Sequence, residues 1–188
     1  MKGNVFFKKA WDKVLKRFSE LDYRYDDYCT KKAIRRIKLF YGKRVKFGQN
    51  FRCRNGFLIK FNRLGCNDRK VIIGNGCFFN DNCSITCFEK IEIGDNSIFG
   101  EGVKIYDHNH RFNLANQTIS SQGYTHEPVK IGKNCWIGSN VVILKGVVIG
   151  DNCVIGAGVI LRESVPNNSI VTMNSATVIN RIKYKELD

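Results

Sequence analysis

The 188-residue chain is sparing with several residue types that carry chemistry. It has three histidines, so few of its side chains are suited to act as a base near neutral pH. None of its eight cysteines forms a Cys-x-x-Cys pair, and Cys29, Cys53, Cys66 and Cys87 show no metal-ligand spacing. No metal is therefore expected on them, and reduced thiols in a cytoplasmic protein fit the pattern. No apolar run approaches the roughly 20 residues that span a bilayer. The opening Met1-Lys2-Gly3-Asn4-Val5-Phe6-Phe7-Lys8-Lys9 has no long apolar core, so no signal peptide is expected. No groove-reading motif accompanies the chain's positive charge, which argues against nucleic acid as a partner.

What the chain does have is a six-residue period. Every sixth residue from Ile131 is a large aliphatic, through Ile137, Ile143, Ile149, Ile155 and Leu161, with glycine following at 132, 138, 150 and 156. Four places after the aliphatics come Cys135, Val141, Val147, Cys153 and Val159, small or β-branched. Each unit thus offers one long and one short side chain for burial. That period is neither helical nor alternating. It predicts a chain that winds, three short strands per turn, each strand stacking on the one a full turn earlier. Glycine after each aliphatic suits a corner where φ is positive or another backbone comes close. Cys77, Cys83, Cys135 and Cys153 fall at the small position, as apolar fillers.

The repeats leave room for one domain, expected as a basic helical segment at 1–44, a coil at 45–172, and a strand with a basic tail at 173–188. Charge divides along the same line: residues 1–70 hold 21 Lys and Arg against 6 Asp and Glu, and residues 71–188 hold 10 against 11. Phe7, Trp11, Val14, Phe18 and Leu21 recur at helical steps, and a second helix is expected at about 27–41, with Ala33, Ile34, Ile37 and Phe40 as its apolar face. Two such helices fit a cover over the coil's end or a neighbouring subunit. The alternative is peripheral contact with an anionic membrane through residues 1–41, at its inner face. The hexad begins in broken form at Val45, loses register over 56–70 as an inserted loop or an irregular first turn, recovers at Ile73 and slips by two residues after Ile85. Residues 111–127 read as a polar excursion from the coil, and Pro166 as its end.

The hexad resembles that of the left-handed parallel β-helix acyltransferases, the hexapeptide-repeat family; the left hand follows from the resemblance alone, since crossovers ordinarily prefer the right. The likeness sharpens to the galactoside and maltose O-acetyltransferases and related polysaccharide O-acetyltransferases. It rests on Asn80-Asp81-Asn82-Cys83, Ile93-Gly94-Asp95-Asn96, His110, and Ile131-Gly132-Lys133-Asn134-Cys135-Trp136-Ile137-Gly138-Ser139, within residues 45–178. It implies a mainly β fold with N-terminal α-helices and a long loop leaving the coil. It also implies acetyl-CoA as co-substrate, no metal, and a homotrimer with active sites between subunits.

By the same resemblance His110 is similar to the catalytic base, and Asn80 to the asparagine beside the acceptor and acetyl group. Trp136 is similar to an aromatic wall of the acyl pocket. Ser139, after Gly138, offers a backbone N–H to the thioester oxygen, and Ala157 a backbone contact to pantetheine. Arg162, Arg181 and Lys183 stand in for the basic residues that meet the cofactor's phosphates, with Glu163 where lysine is frequent. His108 is the rival base, and with Asp107 it is expected to line the substrate side. A His pair with one Asp lacks the third imidazole of a metal site. Two departures concern the acceptor: the family's His-Pro is His110-Arg111 here, and its acidic pair is Cys87-Phe88. The implied reaction is direct acetyl transfer to a carbohydrate hydroxyl on a sugar, a polysaccharide or a lipid-linked glycan. Transfer to an amino sugar, or a non-catalytic binding solenoid, are the alternatives.

Overall fold

The computed structural model describes residues 3–61, 70–115, 117–173 and 177–181. The six-residue period becomes a three-sided coil. Its first turn is β1 (Val45–Phe47), β2 (Arg52–Cys53) and β3 (Leu58–Phe61); its second is β4 (Lys70–Ile73), β5 (Phe78–Phe79) and β6 (Ser84–Cys87). The third is β7 (Lys90–Ile93), β8 (Ile98–Phe99) and β9 (Lys104–Tyr106), after which the chain leaves the coil through β10 (His108–His110) and β11 (Tyr124–His126). It returns for β12 (Val129–Ile131), β13 (Trp136–Ile137) and β14 (Val142–Ile143), then β15 (Val148–Ile149), β16 (Val154–Ile155) and β17 (Ile160–Leu161). Two final strands, β18 (Ser169–Met173) and β19 (Thr177–Arg181), follow.

Each side of the coil is a parallel sheet: β1-β4-β7-β12-β15 on the first side, β2-β5-β8-β13-β16-β18 on the second, and β3-β6-β9-β14-β17 on the third. The hexad sets the register. Ile137 lies beside Ile155, 18 residues on, which is three hexads. The two-residue slip appears as a 20-residue step from Phe79 to Phe99, and the excursion as a 38-residue step from Phe99 to Ile137. Insertions therefore widen a turn without displacing the ladder. Phe79, Phe99, Ile137 and Ile155 form one buried column, with Phe79 and Phe99 stacked at 4.1 Å. Ile85, Ile105 and Ile143 form another, fully buried. Each such side chain contributes about 1.5–3 kcal/mol by leaving water.

The corners divide the work of glycine and asparagine. Glycines after the aliphatics serve close approach: a Cβ on Gly138 would sit 2.6 Å from the backbone nitrogen of Ala157. Positive φ falls elsewhere, among the described residues equally on asparagines and on other glycines; Asn134 (54°) and Asn152 (56°) also join across turns, Asn134 Nδ2 donating to Asn152 Oδ1 at 2.9 Å.

Several expectations need correction. Of the two readings of residues 56–70, the irregular first turn fits the part up to Phe61, where β3 continues the coil and Phe57, Ile59 and Phe61 are buried, while residues 62–69 lie outside the described residues. Aromatic fillers had hidden the hexad there. Pro166 does not end the coil: Val165 still bridges to Ile149, and β18 pairs with β16 after a shortened step of 16 residues, from Ile155 to Val171. The proline sits at a corner, where no ladder N–H is needed. Beyond it the chain forms two antiparallel strands, β18 and β19, rather than one.

The two expected helices are one, α1 (Gly3–Tyr41). No glycine or proline interrupts it after Gly3. The apolar side chains of Phe7, Trp11, Val14 and Phe18 lie outside the described residues. Leu21 and Phe40 are exposed, while Asp26, Cys29, Thr30 and Ile37 are buried on the coil. Thr30 completes the edge of β2: its hydroxyl donates to Cys53 O at 3.1 Å and accepts from Cys53 N at 2.8 Å. Asp26 accepts from Arg54 Nε at 3.0 Å. No described helix is long and apolar enough to cross a membrane.

Candidate active site

All three histidines lie on the excursion. β10 and β11 form an antiparallel hairpin that places His108 opposite His126 and His110 opposite Tyr124. Because the strand persists, His108 and His110, two residues apart, share a face. That face is aromatic. His108 stacks on Phe88 at 3.7 Å, Tyr124 meets Phe88 edge-on at 4.7 Å, and His110 packs against Tyr124 at 4.4 Å. His110 is exposed, whereas His108 is largely covered, its Nδ1 buried with no hydrogen-bond partner among the described residues and 3.6 Å from Asp107 Oδ1.

Asp107, expected to line the substrate side, points into the fold. It is fully buried, and its carboxylate accepts from the N–H groups of Phe88 and Glu89, each at 2.7 Å. This fixes the turn that carries Phe88 under the hairpin. Glu89 in turn meets His126 Nδ1 at 2.9 Å, and Glu127 pairs with Lys145 on the coil. Phe88, Glu89, Tyr124 and His126 are additions to the sequence-predicted set. For Tyr124 and His126 the signal is the echo of His108-x-His110 in Tyr124-x-His126, two polar alternations that can pair as a hairpin.

A second group of residues lines the corner between the second and third sides. In register, Asn80, Gly100, Gly138 and Gly156 follow the buried column there, and Asp81, Glu101, Ser139 and Ala157 come one place later. The corresponding place on the preceding corner shows what this position ordinarily does. There Lys133 N–H donates to Asp151 Oδ1 of the next turn at 2.7 Å, and Asp151 N–H to Asn167 Oδ1 at 2.9 Å. At the second corner, Ala157 stands where the acceptor for Ser139 would be. Among the described residues neither the Ser139 nor the Ala157 N–H has an acceptor. Three backbone N–H groups on this edge, those of Glu101, Ser139 and Ala157 on successive turns, are thus open to a group outside the chain.

Trp136, on β13 just before this corner, is 56% exposed. Asn80 lies on the same corner, two turns from Ser139, its Oδ1 accepting from Asp81 N–H at 2.8 Å. Arg162 is exposed at the third side's end. Arg181 is on β19, and its side chain, like all of Lys183, lies outside the described residues. The hairpin is rooted at a different corner, between the third and first sides. Among the described residues no hydrogen bond joins His110 to Asn80, Trp136, Ser139 or Ala157.

The described cysteines are buried and free of disulfides, with Cys77, Cys83, Cys135 and Cys153 at 0–1% exposure. Among the described residues no three His, Cys, Asp or Glu side chains are placed to share a metal ion.

Residues 128–163 match the family described as bacterial transferase hexapeptide (six repeats). WbbJ of Escherichia coli strain K12, named as a candidate lipopolysaccharide biosynthesis O-acetyl transferase, is 30% identical over 75% of this chain and 74% of its own length. Other curated relatives are matched over 35–63% of their own length. Among solved structures, a maltose O-acetyltransferase from Clostridium difficile 630 is 28% identical, with a TM-score of 0.61 over 88% of this chain and 90% of that one. A hexapeptide-repeat acetyltransferase of Vibrio cholerae, solved with acetyl coenzyme A, is 25% identical, with a TM-score of 0.62 over 76% and 74%. The coil is accordingly a left-handed parallel β-helix, and the chain belongs to the hexapeptide-repeat acetyltransferases.

Proposed function

We propose that the protein transfers the acetyl group of acetyl-CoA directly to a hydroxyl of a carbohydrate, in a homotrimer whose sites lie between subunits. The observation that carries this reading is the pair of unclaimed N–H groups at Ser139 and Ala157, beside exposed Trp136. The Ser139 N–H holds the thioester carbonyl oxygen as it gains charge, the Ala157 N–H holds a pantetheine carbonyl, and Trp136 walls the acyl group. His110 takes the proton from the acceptor hydroxyl as its oxygen attacks the carbonyl, and CoA leaves as the thiol. Asn80 positions the acceptor and the acetyl group. Arg162, Arg181 and Lys183 meet the phosphates of CoA.

The geometry of one chain supports the trimer. His110 hangs from one corner and the two N–H donors line another, so a neighbouring chain is the simplest source of the missing half. The carbohydrate acceptor is supported by the name of the E. coli relative and by the aromatic face of Phe88, His108 and Tyr124, whose flat rings suit the apolar side of a sugar. Glu89, held by His126, supplies a carboxylate near that face in place of the family's acidic pair.

The test is free-thiol release from acetyl-CoA by wild type, His110→Ala and His108→Ala, over sugars, lipid-linked glycans and amino sugars. Wild type should turn over a hydroxyl acceptor, and His110→Ala should lose about 100- to 10,000-fold in kcat. Equal turnover by wild type and His110→Ala would remove His110 from the mechanism; a preference for amino sugars would remove the hydroxyl acceptor.

A further inference from the structure

One face of the C-terminal half of α1 grips the first turn of the coil; the other faces solvent. Along that outer face, at steps of three and four, stand Leu21, Arg24, Tyr28, Lys32, Arg35 and Leu39, all exposed. Leu21 is 52%, Tyr28 62% and Leu39 78% exposed. The line carries three cations and no carboxylate. Asp27, on its flank, is engaged by Lys31 at 2.7 Å. A helix face that merely meets water has no use for large apolar side chains repeated on the same line. Beside it, α1 and the coil enclose a groove of about 240 Å³, lined by Tyr25, Tyr28, Lys32 and Arg36 from the helix and by Arg54 and Phe57 from the coil. Arg54 is committed to Asp26, and Lys32 Nζ lies 5.9 Å from the centre of the Tyr28 ring.

We propose that this face docks the protein on an anionic phospholipid bilayer, with α1 lying in the headgroup plane. Leu21, Tyr28 and Leu39 enter the interface, Arg24, Lys32 and Arg35 lie among the phosphates, and the groove takes one phosphate headgroup between Lys32 and Arg36. Alternation of apolar, aromatic and basic side chains along one helix face is the pattern that holds a helix at a lipid surface rather than through it. Charge selects this occupant. A second copy of the same face would set its three cations against three more, without a carboxylate on either line. An anionic bilayer instead gains from each basic side chain near its surface. The inference stands apart from the acetyl-transfer reading, because its test reads no turnover.

The test is co-sedimentation of the full chain with vesicles of phosphatidylcholine alone or mixed equally with phosphatidylglycerol. Wild type should bind the mixed vesicles and not the neutral ones, and added salt should release it. The combined change Arg24→Glu, Lys32→Glu and Arg35→Glu should lower the partition coefficient by about 100-fold or more. Leu21→Ser with Leu39→Ser, which leaves every charge in place, should lower it about tenfold. These side chains are exposed, and unchanged thermal melting will show that the variants fold. Inorganic phosphate matched to the lipid phosphate should not release the protein. Equal binding to neutral vesicles, no binding to anionic ones, full release by inorganic phosphate, or an altered oligomer mass in the variants with vesicle binding intact would each overturn the proposal.

Discussion

At Ser139 the decisive residue is one that touches nothing reactive. Ala157 lies 18 residues on, as Asp151 does from Lys133, but it has no side-chain oxygen to offer the Ser139 N–H. Ala157→Asp should restore the corner's ordinary hydrogen bond and occupy the donor proposed for the thioester oxygen. The expected outcome is a loss of about 100- to 1,000-fold in kcat/KM with thermal stability held or raised, read from paired kinetics and melting. The buried cysteines give a second residue-scale prediction. Desolvation pushes Cys53 up to about 12 and Cys83 up to about 11, from an ordinary value of 9. The folded chain keeps these protons after the unfolded chain has shed them. Their contribution to stability is therefore full below about pH 9 and is lost as pH rises from there through the folded values. Urea midpoints should be insensitive to these groups near neutrality and fall steadily in alkali. Thiol reagents at neutral pH should find the Cys53 and Cys83 thiols only on unfolding.

At the scale of the element, the turns from β12 to β17 show their period openly because both inward places of each hexad are aliphatic or small. Ile137→Ala removes one member of a column that is fully buried and should cost about 2–5 kcal/mol in denaturant unfolding. Gly138→Ala presses a methyl onto the Ala157 and Ile155 backbones, at 2.6 and 2.8 Å, and should cost about 1–3 kcal/mol although it adds apolar surface. The first turn was harder to read in the sequence because phenylalanine replaces the aliphatics. The hairpin was harder still, since its strands are three residues each and their side chains are polar on both. His110 was accessible from its place after β9, but the partners that set its surroundings were not. Phe88 reaches the site only because Asp107, buried by the fold, holds the turn beneath the hairpin. The single helix was misread because its apolar stripe changes face near Leu21, which looks like an end when only periodicity is followed.

For the whole molecule, the proposed division of the active site between chains predicts that activity depends on assembly. Specific activity should fall on dilution in step with the loss of three-chain particles measured by light scattering, and acetyl-CoA should shift that dissociation to lower protein concentration. Charge is also arranged at this scale, with the basic third of the chain gathered at α1 and the first turn while the later turns are nearly neutral. Both terminal rungs of the coil carry closures. Thr30 takes up the N–H and C=O of Cys53 at one end, and at the other β19 runs antiparallel to β18. A parallel stack that repeats so regularly is otherwise a template for its own copies, ready to add another coil end to end and grow into a fibre. A helix on one face and a reversed strand on the other deny the next coil its register, so growth stops at a single molecule's length.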